Sequence, residues 1–464
     1  MRQSICLTVN VLLFVVASST SWGQDASKVG KSSPGVTRKI QDEVPKKSGK
    51  QGPNKKQEEK PAKSSSQESG KKQKSDQSQS GAGKSEKDNQ QGTSNTSSNP
   101  QQQAADDAFA AYLQSARRAN LARTPRMFGD WFRPGMPVIA NSETPNGLLL
   151  TEVDIPQAGR VGKISENNSA LPFDRFFVNY NYFHNALRGG SSLATFQRAG
   201  TASIQRYTIG LERTFLDGVF SLETRFVMTS NPDFGHNPVG RGPSGYQTHS
   251  PTFGNLSFVG KALLLENEST ALAAGVGLEL PTGGDSFIQS GPTLLEFENQ
   301  AVYLSPYIGL LKKPTDSPWF LNAFVQVETP LSGDSVRGID SATGTTFSGG
   351  RVTSQTTLFV DVALGRWLYQ NQGGLLSGVA MFTEAHFNSA LNDSDLNSLA
   401  FSSNSFNSVY STNATRKRFD ILDLTAGLHI EIADRTKLRV GAVFPVGDEK
   451  PFDSEFGIQL TRSR

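Results

Sequence analysis

The stretch that decides the fold lies near the C-terminus, at residues 420–432, and reads DILDLTAGLHIEI. One parity is apolar: Leu422, Leu424, Ala426, Leu428 and Ile430. The other parity is polar or small: Asp423, Thr425, Gly427, His429 and Glu431. This alternation has the period of a β-strand with one apolar and one polar face. Residues 438–444 and 452–460 continue it, so the region predicts three antiparallel strands that share one apolar surface.

The same pattern extends back to Pro172 and predicts nine further strands, at 176–182, 206–212, 220–228, 255–264, 272–280, 295–311, 319–327, 358–364 and 379–387. Short links follow every second strand, at 216–218, 266–269, 312–317, 370–373 and 433–436. The alternate links are long and polar, at 185–202, 229–252, 281–294, 331–353 and 389–417. Only the link 446–450 departs from this rule by being short.

An even number of strands, with short turns at one end and long loops at the other, is typical of outer-membrane barrels. A soluble β-sandwich has no reason to sort its loops in this way. Closure also leaves no unpaired strand edge in the hydrocarbon. Residues 172–464 are therefore predicted to form an all-β, antiparallel up-and-down transmembrane β-barrel of about 12 strands.

The first 23 residues have the features of a secretory signal peptide. A basic start at Arg2 precedes the apolar run Ile5–Val16, and cleavage is expected after Gly23. We therefore predict export to the bacterial outer membrane. The only cysteine of the chain, Cys6, lies in this segment, so the mature protein is expected to have neither disulfides nor thiol chemistry.

Residues 24–103 are rich in Lys, Ser and Gln and are predicted to be disordered, because they have too little apolar surface to offset the entropy of ordering. They carry 16 Lys or Arg and 9 Asp or Glu, although the whole chain nets only +3. The basic excess is therefore no indication that the folded part binds nucleic acid. The segment could bind cell-wall polymer or anionic lipid, or it could be a solvated spacer.

Residues 104–171 form a separate region between the disordered segment and the barrel. The pattern after Asp106 predicts a short amphipathic helix that ends before Pro125. Residues 125–171 are rich in Pro and Gly and are predicted to be irregular, with enough apolar side chains to dock on another surface. They could form a plug inside the barrel or a periplasmic collar, and the sequence leaves both open.

If the apolar parity faces lipid, the opposite parity faces the lumen. The lumen-lining candidates are Arg175, Asn179, Asn181, Arg206, Glu212, Glu223, Arg225, Lys261, Glu279, Asn322, Gln326, Glu328, Asp361, Glu384, His386, Asp423, His429, Glu431 and Arg439. Both signs of charge are present, so their count predicts no selectivity for one sign. These side chains could line a water-filled path or join a filled interior through ion pairs.

Two His–carboxylate pairs, Glu384/His386 and His429/Glu431, have the spacing that places both side chains on one face of a strand. Such a pair could act as a general base or bind a metal. However, the two histidines are expected about 20 Å apart, given about 3.4 Å per residue along each strand. We therefore predict no shared metal site, no catalytic residues and no cofactor.

Several stretches resemble a family of uncharacterised bacterial outer-membrane barrels. They are ENNSALPFDRFFVNYNYFH (166–184), LSPYIG (304–309), TEAHF (383–387) and LTAGLH (424–429). The stretch LELPTG (278–283) is loosely similar to transporter barrels associated with the degradation of aromatic compounds such as phenol. The resemblance covers about residues 125–464, implies a barrel fold and brings no catalytic residues. Such barrels usually end on an aromatic residue, whereas this chain ends on Arg464.

The leading hypothesis is therefore an outer-membrane channel or transporter for small solutes. A structural barrel that anchors a basic periplasmic arm to the envelope is the first alternative. An outer-membrane hydrolase is the second, although no nucleophile motif accompanies the histidines. The partners expected are membrane lipid, small solutes and, through residues 24–103, cell-wall polymer or anionic lipid, with no nucleic acid.

Overall fold

The computed structural model describes residues 103–105, 108–109, 118–130, 135–144, 147–156, 160, 162–192, 198–230, 234–236, 246–290, 293–340, 343–371, 373–393, 397–403, 406–412, 418–433, 435–447 and 449–463. The predicted signal peptide and nearly all of the predicted disordered segment lie outside these residues. Of the predicted helix, residues 108–109 and 118–123 are described and are helical, as are residues 103–105 before it.

The strands in chain order are β1 (Gly135–Thr144), β2 (Gly147–Pro156), β3 (Arg175–Ser192), β4 (Arg198–Phe215), β5 (Phe220–Thr229), β6 (Phe234–His236), β7 (Tyr246–His249), β8 (Phe253–Glu266), β9 (Thr270–Leu280), β10 (Ser286–Ser290), β11 (Thr293–Glu298), β12 (Tyr303–Lys312), β13 (Trp319–Pro330), β14 (Asp334–Asp340), β15 (Thr346–Val352), β16 (Thr357–Gln370), β17 (Leu376–Ala390), β18 (Asn397–Ser403), β19 (Phe406–Thr412), β20 (Asp420–Ile432), β21 (Thr436–Val446) and β22 (Ser454–Ser463). A short 3-10 helix, Leu216–Gly218, joins β4 to β5.

Twelve of these strands form a closed antiparallel barrel, in the order β3-β22-β21-β20-β17-β16-β13-β12-β9-β8-β5-β4, and β4 pairs again with β3. Closure is direct, since Arg175 of β3 pairs with Ser463 of β22 on one side and with Glu212 of β4 on the other. The predicted all-β barrel of twelve antiparallel strands is confirmed.

The alternation of side chains produces a polar interior and an apolar exterior. On β20, Asp423 and His429 are fully buried, whereas Leu424 and Leu428 are 44% and 47% exposed. Phe176 and Phe456 on neighbouring strands are similarly exposed outside the barrel. The outer surface is therefore apolar and in contact with the surroundings.

Among the described residues, no helix is both long and apolar enough to cross a membrane.

The two ends of the barrel differ. At the turn end, short links join β4 to β5, β8 to β9, β12 to β13, β16 to β17 and β20 to β21. At the loop end, the links that were predicted as polar loops contain further strands. Five of these strands form a second sheet together with β11, in the order β15-β14-β11-β10-β7-β6. The long links therefore extend the wall with regular structure.

The predicted sixth strand, 295–311, is wrong as one element. It divides into β11, in the second sheet, and β12, in the barrel. Between them, the amides of Gln300 and Ala301 donate to Asp334 Oδ1 over 2.9 and 2.8 Å, so these backbone groups bond to a side chain instead of a strand ladder.

The irregular structure predicted for 125–171 is also wrong in part, because β1 and β2 form a hairpin within it. β1 pairs with β19, and Leu150–Val153 of β2 pair with Gly189–Ser192 of β3. The segment contains branched and long apolar residues that suit a strand, and its Pro and Gly content obscured them. The hairpin therefore extends the barrel wall at the loop end.

Candidate functional site

The barrel interior is occupied by the chain on either side of the hairpin. We call residues 118–130, 160 and 162–171 the inner segments. They contact inward-facing side chains from all twelve strands. Tyr307 of β12 packs against them through apolar contacts. The other eleven strands contribute hydrogen bonds, through Asn179 (β3), Arg206 (β4), Arg225 (β5), Lys261 (β8), Glu279 (β9), Gln326 (β13), Asp361 (β16), Glu384 (β17), Glu431 (β20), Arg439 (β21) and Gln459 (β22). The inner segments therefore cross the lumen and contact its whole circumference.

At the turn end, the helical residues 118–123 hold the start of the inner segments against the barrel rim. The Arg118 guanidinium donates to the carbonyl oxygens of Asp217 and Gly218, over 3.1 and 2.8 Å. Arg123 donates to Glu431 Oε2 over 3.0 Å and to the carbonyl oxygen of Ser377 over 3.1 Å. The chain therefore enters the lumen from the turn end and reaches the hairpin at the loop end.

Lys163 carries the central ion pairs between the inner segments and the wall. Its Nζ is paired with Asp130, also on an inner segment, and lies 2.7 Å from Asp361 Oδ1 on β16. His386 Nδ1 lies 2.9 Å from the same Asp361 oxygen and 3.3 Å from Asp130 Oδ1. All four side chains are buried, so the pairing is shielded from solvent.

Asp130, Asp361 and His386 could between them hold a metal ion, because one donor atom of each lies within 4.8 Å of the others. Lys163 supplies a positive charge to both carboxylates of that group. His386 Nε2 contacts Glu384 Oε2 at 3.2 Å and Thr425 Oγ1 at 3.1 Å, so both ring nitrogens are engaged by the wall. This arrangement is that of an ion-pair network that joins the inner segments to β16 and β17.

The wall opposite, formed by β3, β4, β5 and β8, is densely ion-paired. Arg175 bridges Glu212 and Glu223, each over 2.6 Å, and Lys261 Nζ lies 3.0 Å from Glu212. Arg225 pairs with Glu223 and also donates to the carbonyl oxygens of Lys163 and Ile164. Every cation named here has a carboxylate partner, so charge on this face is locally neutralised.

Charged and amide side chains of the wall also bind the backbone of the inner segments. The two oxygens of Glu384 accept the amides of Phe128 and Gly129, over 2.7 and 2.8 Å. Gln459 Nε2 donates to the carbonyl oxygen of Phe128 over 2.8 Å. Arg439 donates to the carbonyl oxygen of Met127 over 2.9 Å. Because the wall side chains replace secondary structure as partners, this backbone is satisfied inside the barrel.

Phe128 supplies an apolar contact within this polar interface. Its ring is fully buried, packs 5.7 Å from the ring of Phe382 and faces Gly441 and Gly457, which are paired on β21 and β22. The wall uses the same device elsewhere: Phe177 covers Gly210, Phe320 covers Gly365 and Phe382 covers Gly427 on the neighbouring strand. Phe128 brings an aromatic ring to a pair of wall glycines from outside the sheet.

All nineteen predicted lumen-lining residues are buried in the structure, none more than 5% exposed. They do not form one cluster but are spread over ten of the twelve barrel strands, all except β12 and β22. That any of them meets a solute remains a prediction. Sequence reasoning missed the buried residues of the inner segments, chiefly Asp130, Lys163, Glu166 and Asn167. The density of polar residues at 166–169 was the one available signal.

His429, the second histidine considered for catalysis, lies near the turn end. Its ring packs edge-on to Trp367 at 5.6 Å, and its Nε2 lies 3.7 Å from Glu431 Oε1. His386 and His429 take part in separate groups of contacts, as the predicted spacing required. Neither is accompanied, in the described structure, by a serine arranged as a nucleophile.

No family model matches this sequence, and no curated protein matches it either. Solved structures that it resembles include an outer-membrane channel from Pseudomonas putida F1, with 9% identity, 63% of this chain and 96% of the channel covered, and a TM-score of 0.40. The CymD monoaromatic hydrocarbon channel has 11% identity, 72% and 89% coverage and a TM-score of 0.35. The translocator domain of the autotransporter NalP from Neisseria meningitidis has 10% identity, 78% and 98% coverage and a TM-score of 0.35.

Proposed function

We propose that the chain is a barrel of the bacterial outer membrane that passes small solutes when its inner segments shift. The apolar exterior is suited to lipid. In the closed sheet every barrel strand is paired on both sides, so its backbone groups have hydrogen-bond partners. The turn end then faces the periplasm, where the predicted basic arm would lie, and the loop end faces outward.

The observation that carries the proposal is the polar character of the contact between the inner segments and the wall. Lys163 holds the inner segments through ion pairs, and Glu384 and Arg439 hold them through hydrogen bonds. Water can replace such bonds at a small net cost, whereas it cannot replace apolar packing. A lumen closed in this way can be opened by hydration.

The hairpin limits how the lumen can open. β1 and β2 are paired with β19 and β3 at the loop end, and Arg118 is bonded to the rim at the turn end. Withdrawal of the whole inner region would therefore require two strand pairings to break. A local shift of residues 124–130 and 162–171 breaks only side-chain contacts, so solutes are expected to pass beside the inner segments.

The test is conductance of the full mature chain in planar lipid bilayers. Lys163→Met removes the central cation and is expected to increase the open fraction. Arg337→Met is the matched control, because Arg337 pairs with Glu296 over 2.7 Å in the second sheet, outside the lumen. Folding is checked by the shift in gel mobility on heating. Folded protein without conductance in the wild type and in Lys163→Met would refute the channel.

One observation favours the second function, a structural barrel that anchors the basic arm: the inner segments contact all twelve strands. This reading expects no flux, and it expects residues 24–103 to bind cell-wall polymer or vesicles of anionic lipid. Binding should be lost at high salt, because exposed charges are screened. Absence of binding at low salt would remove this alternative.

A further inference from the structure

The polar groups of the barrel interior are unevenly satisfied. Seven buried side-chain atoms on β16, β17 and β20 have no protein hydrogen-bond partner in the described structure: Asp361 Oδ2, Trp367 Nε1, Asn388 Oδ1, Asp423 Oδ1, both ring nitrogens of His429 and Glu431 Oε1. Leaving a buried polar atom unbonded costs about 1–3 kcal/mol, so sites of this kind favour hydration. This face of the interior is the one most able to take up water or a polar solute.

The same face also differs from the rest of the wall in charge. The inward positions of β16, β17 and β20 include four carboxylates, Asp361, Glu384, Asp423 and Glu431, and contain no Lys or Arg. On β3, β4, β5 and β8, by contrast, Arg175, Arg206, Arg225 and Lys261 face inward beside Glu212 and Glu223. The total number of charged residues does not reveal this separation of acidic and basic side chains between two parts of the wall. An acidic face attracts cations and repels anions.

The register places these groups at successive levels along the barrel axis. Asp361, His386 and Asp423 are paired across the three strands at one level, near the loop end. His429 is paired with Ala380 nearer the turn end, with Glu431 one inward position beyond it. The polar groups therefore form two clusters, one toward each end of the barrel.

An aromatic contact separates the two clusters. Phe382 lies between their levels, paired with Gly427, and its ring packs 5.7 Å from that of Phe128. Both rings are buried, 3% exposed for Phe382 and fully buried for Phe128. An apolar constriction between polar regions stops conduction by excluding water. Removing the contact would join the clusters into one hydrated path.

We propose that small cations pass along the interior face of β16, β17 and β20, and that the contact between Phe128 and Phe382 closes this route. The inference rests on the proposed function and adds a location, a preferred sign of charge and a gate. The inner segments contribute cations to this face, Lys163 beside Asp361 and Arg123 beside Glu431. A shift of these segments would carry Lys163 and Arg123 away and leave Asp361 to the solute, whereas Glu431 would keep Lys437 of β21, whose Nζ lies 3.3 Å from Glu431 Oε1.

The test measures the permeability ratio of K⁺ to Cl⁻ from the reversal potential in a KCl gradient, with the full mature chain. The wild type should prefer K⁺. Asp361→Asn should lower the ratio about fourfold, because one unit charge about 10 Å from the path in water changes the concentrations of K⁺ and Cl⁻ by about twofold each, in opposite directions. Glu212→Gln is the control, since Glu212 is a buried inward carboxylate on β4, on the opposite side of the barrel. It should leave the ratio unchanged.

The gate is tested by Phe382→Ala, which should raise the conductance. Phe324→Ala is its control, because Phe324 is an inward, buried ring that covers Gly309 and contacts Tyr307 instead of Phe128. Should Asp361→Asn fail to fold, Glu431→Gln makes the same test at the other cluster. Conductance with an unchanged ratio in these variants would overturn the route and leave the channel intact. Folded Phe382→Ala without conductance would overturn the channel itself.

Discussion

Phe128 lies against Gly457 so closely that a Cβ atom added to the glycine would stand 2.5 Å from Cζ of the ring. A Cβ added to Gly441, its neighbour on β21, would stand 3.1 Å from the same atom. The ring occupies space that exists because both wall positions lack a side chain. The fit between the inner segment and the wall therefore depends on the Phe128 ring on one side and on Gly441 and Gly457 on the other.

Gly457→Ala should consequently push Phe128 out of its position. Overpacking a buried site costs about 1–3 kcal/mol, and we expect the free energy of unfolding to fall by this amount. Urea unfolding followed by tryptophan fluorescence measures it, since the chain has 4 Trp. Gly260→Ala is the control, because its added Cβ would meet only Val276 O, at 3.8 Å. Equal losses in the two variants would contradict the fit.

Lys163→Met should be severely destabilising. It would leave Asp130 and Asp361 buried beside each other with only His386 as a cationic partner. Removing one member of a buried ion pair costs about 3–5 kcal/mol. Asp361→Asn, introduced in addition, should restore part of the loss because it removes one of the uncompensated charges. If the double variant is less stable than the sum of the single variants predicts, the pairing is not the cause.

The barrel could be predicted from the sequence because its cause is local. Each strand alternates between the exterior and the interior, as Leu424 and Asp423 do, and the period of two is visible without any knowledge of neighbours. The lengths of the links then predicted which end of the barrel has short turns and which has long loops. The twelve predicted barrel positions all fall on observed barrel strands, apart from the division of 295–311.

The filling of the lumen could not be predicted in the same way. The contact of Glu384 with the amides of Phe128 and Gly129 joins residues 256 and 255 positions apart. Such contacts have no period, and a buried Glu on an inward face looks the same in sequence whether it meets water or a backbone amide. The uneven charge of the interior depends on strand neighbours, which follow from the barrel order and not from composition.

A pH effect is expected from Asp334, at the start of β14 in the second sheet. Burial raises the pKa of Asp334 above its ordinary value of 3.8, although the amides of Gln300 and Ala301 donate to its carboxylate and oppose the shift. The folded state then holds its proton to higher pH than the unfolded state, so stability falls as pH rises through the folded pKa. Asp334→Asn should not show that decline. The free energy of unfolding should be measured for both proteins between pH 3.5 and 7. The difference, variant minus wild type, should rise with pH; a difference that falls with pH would contradict a raised pKa for Asp334.

Access to the closed lumen can be measured with cysteine, since Cys6 is the only native one. In a Cys6→Ser background, Thr461→Cys places a thiol at a fully buried inward position beside Asn167. A water-soluble thiol reagent should modify it far more slowly than Glu449→Cys, which is exposed in the link between β21 and β22. A second substitution, Gly457→Ala, lies two inward positions from residue 461 on the same strand. It should speed the modification of Thr461→Cys, because displacing Phe128 loosens the neighbouring inner segment. The same addition should leave the rate at Glu449→Cys unchanged. Rapid modification of Thr461→Cys without any second substitution would show that the inner segments do not close the lumen in solution.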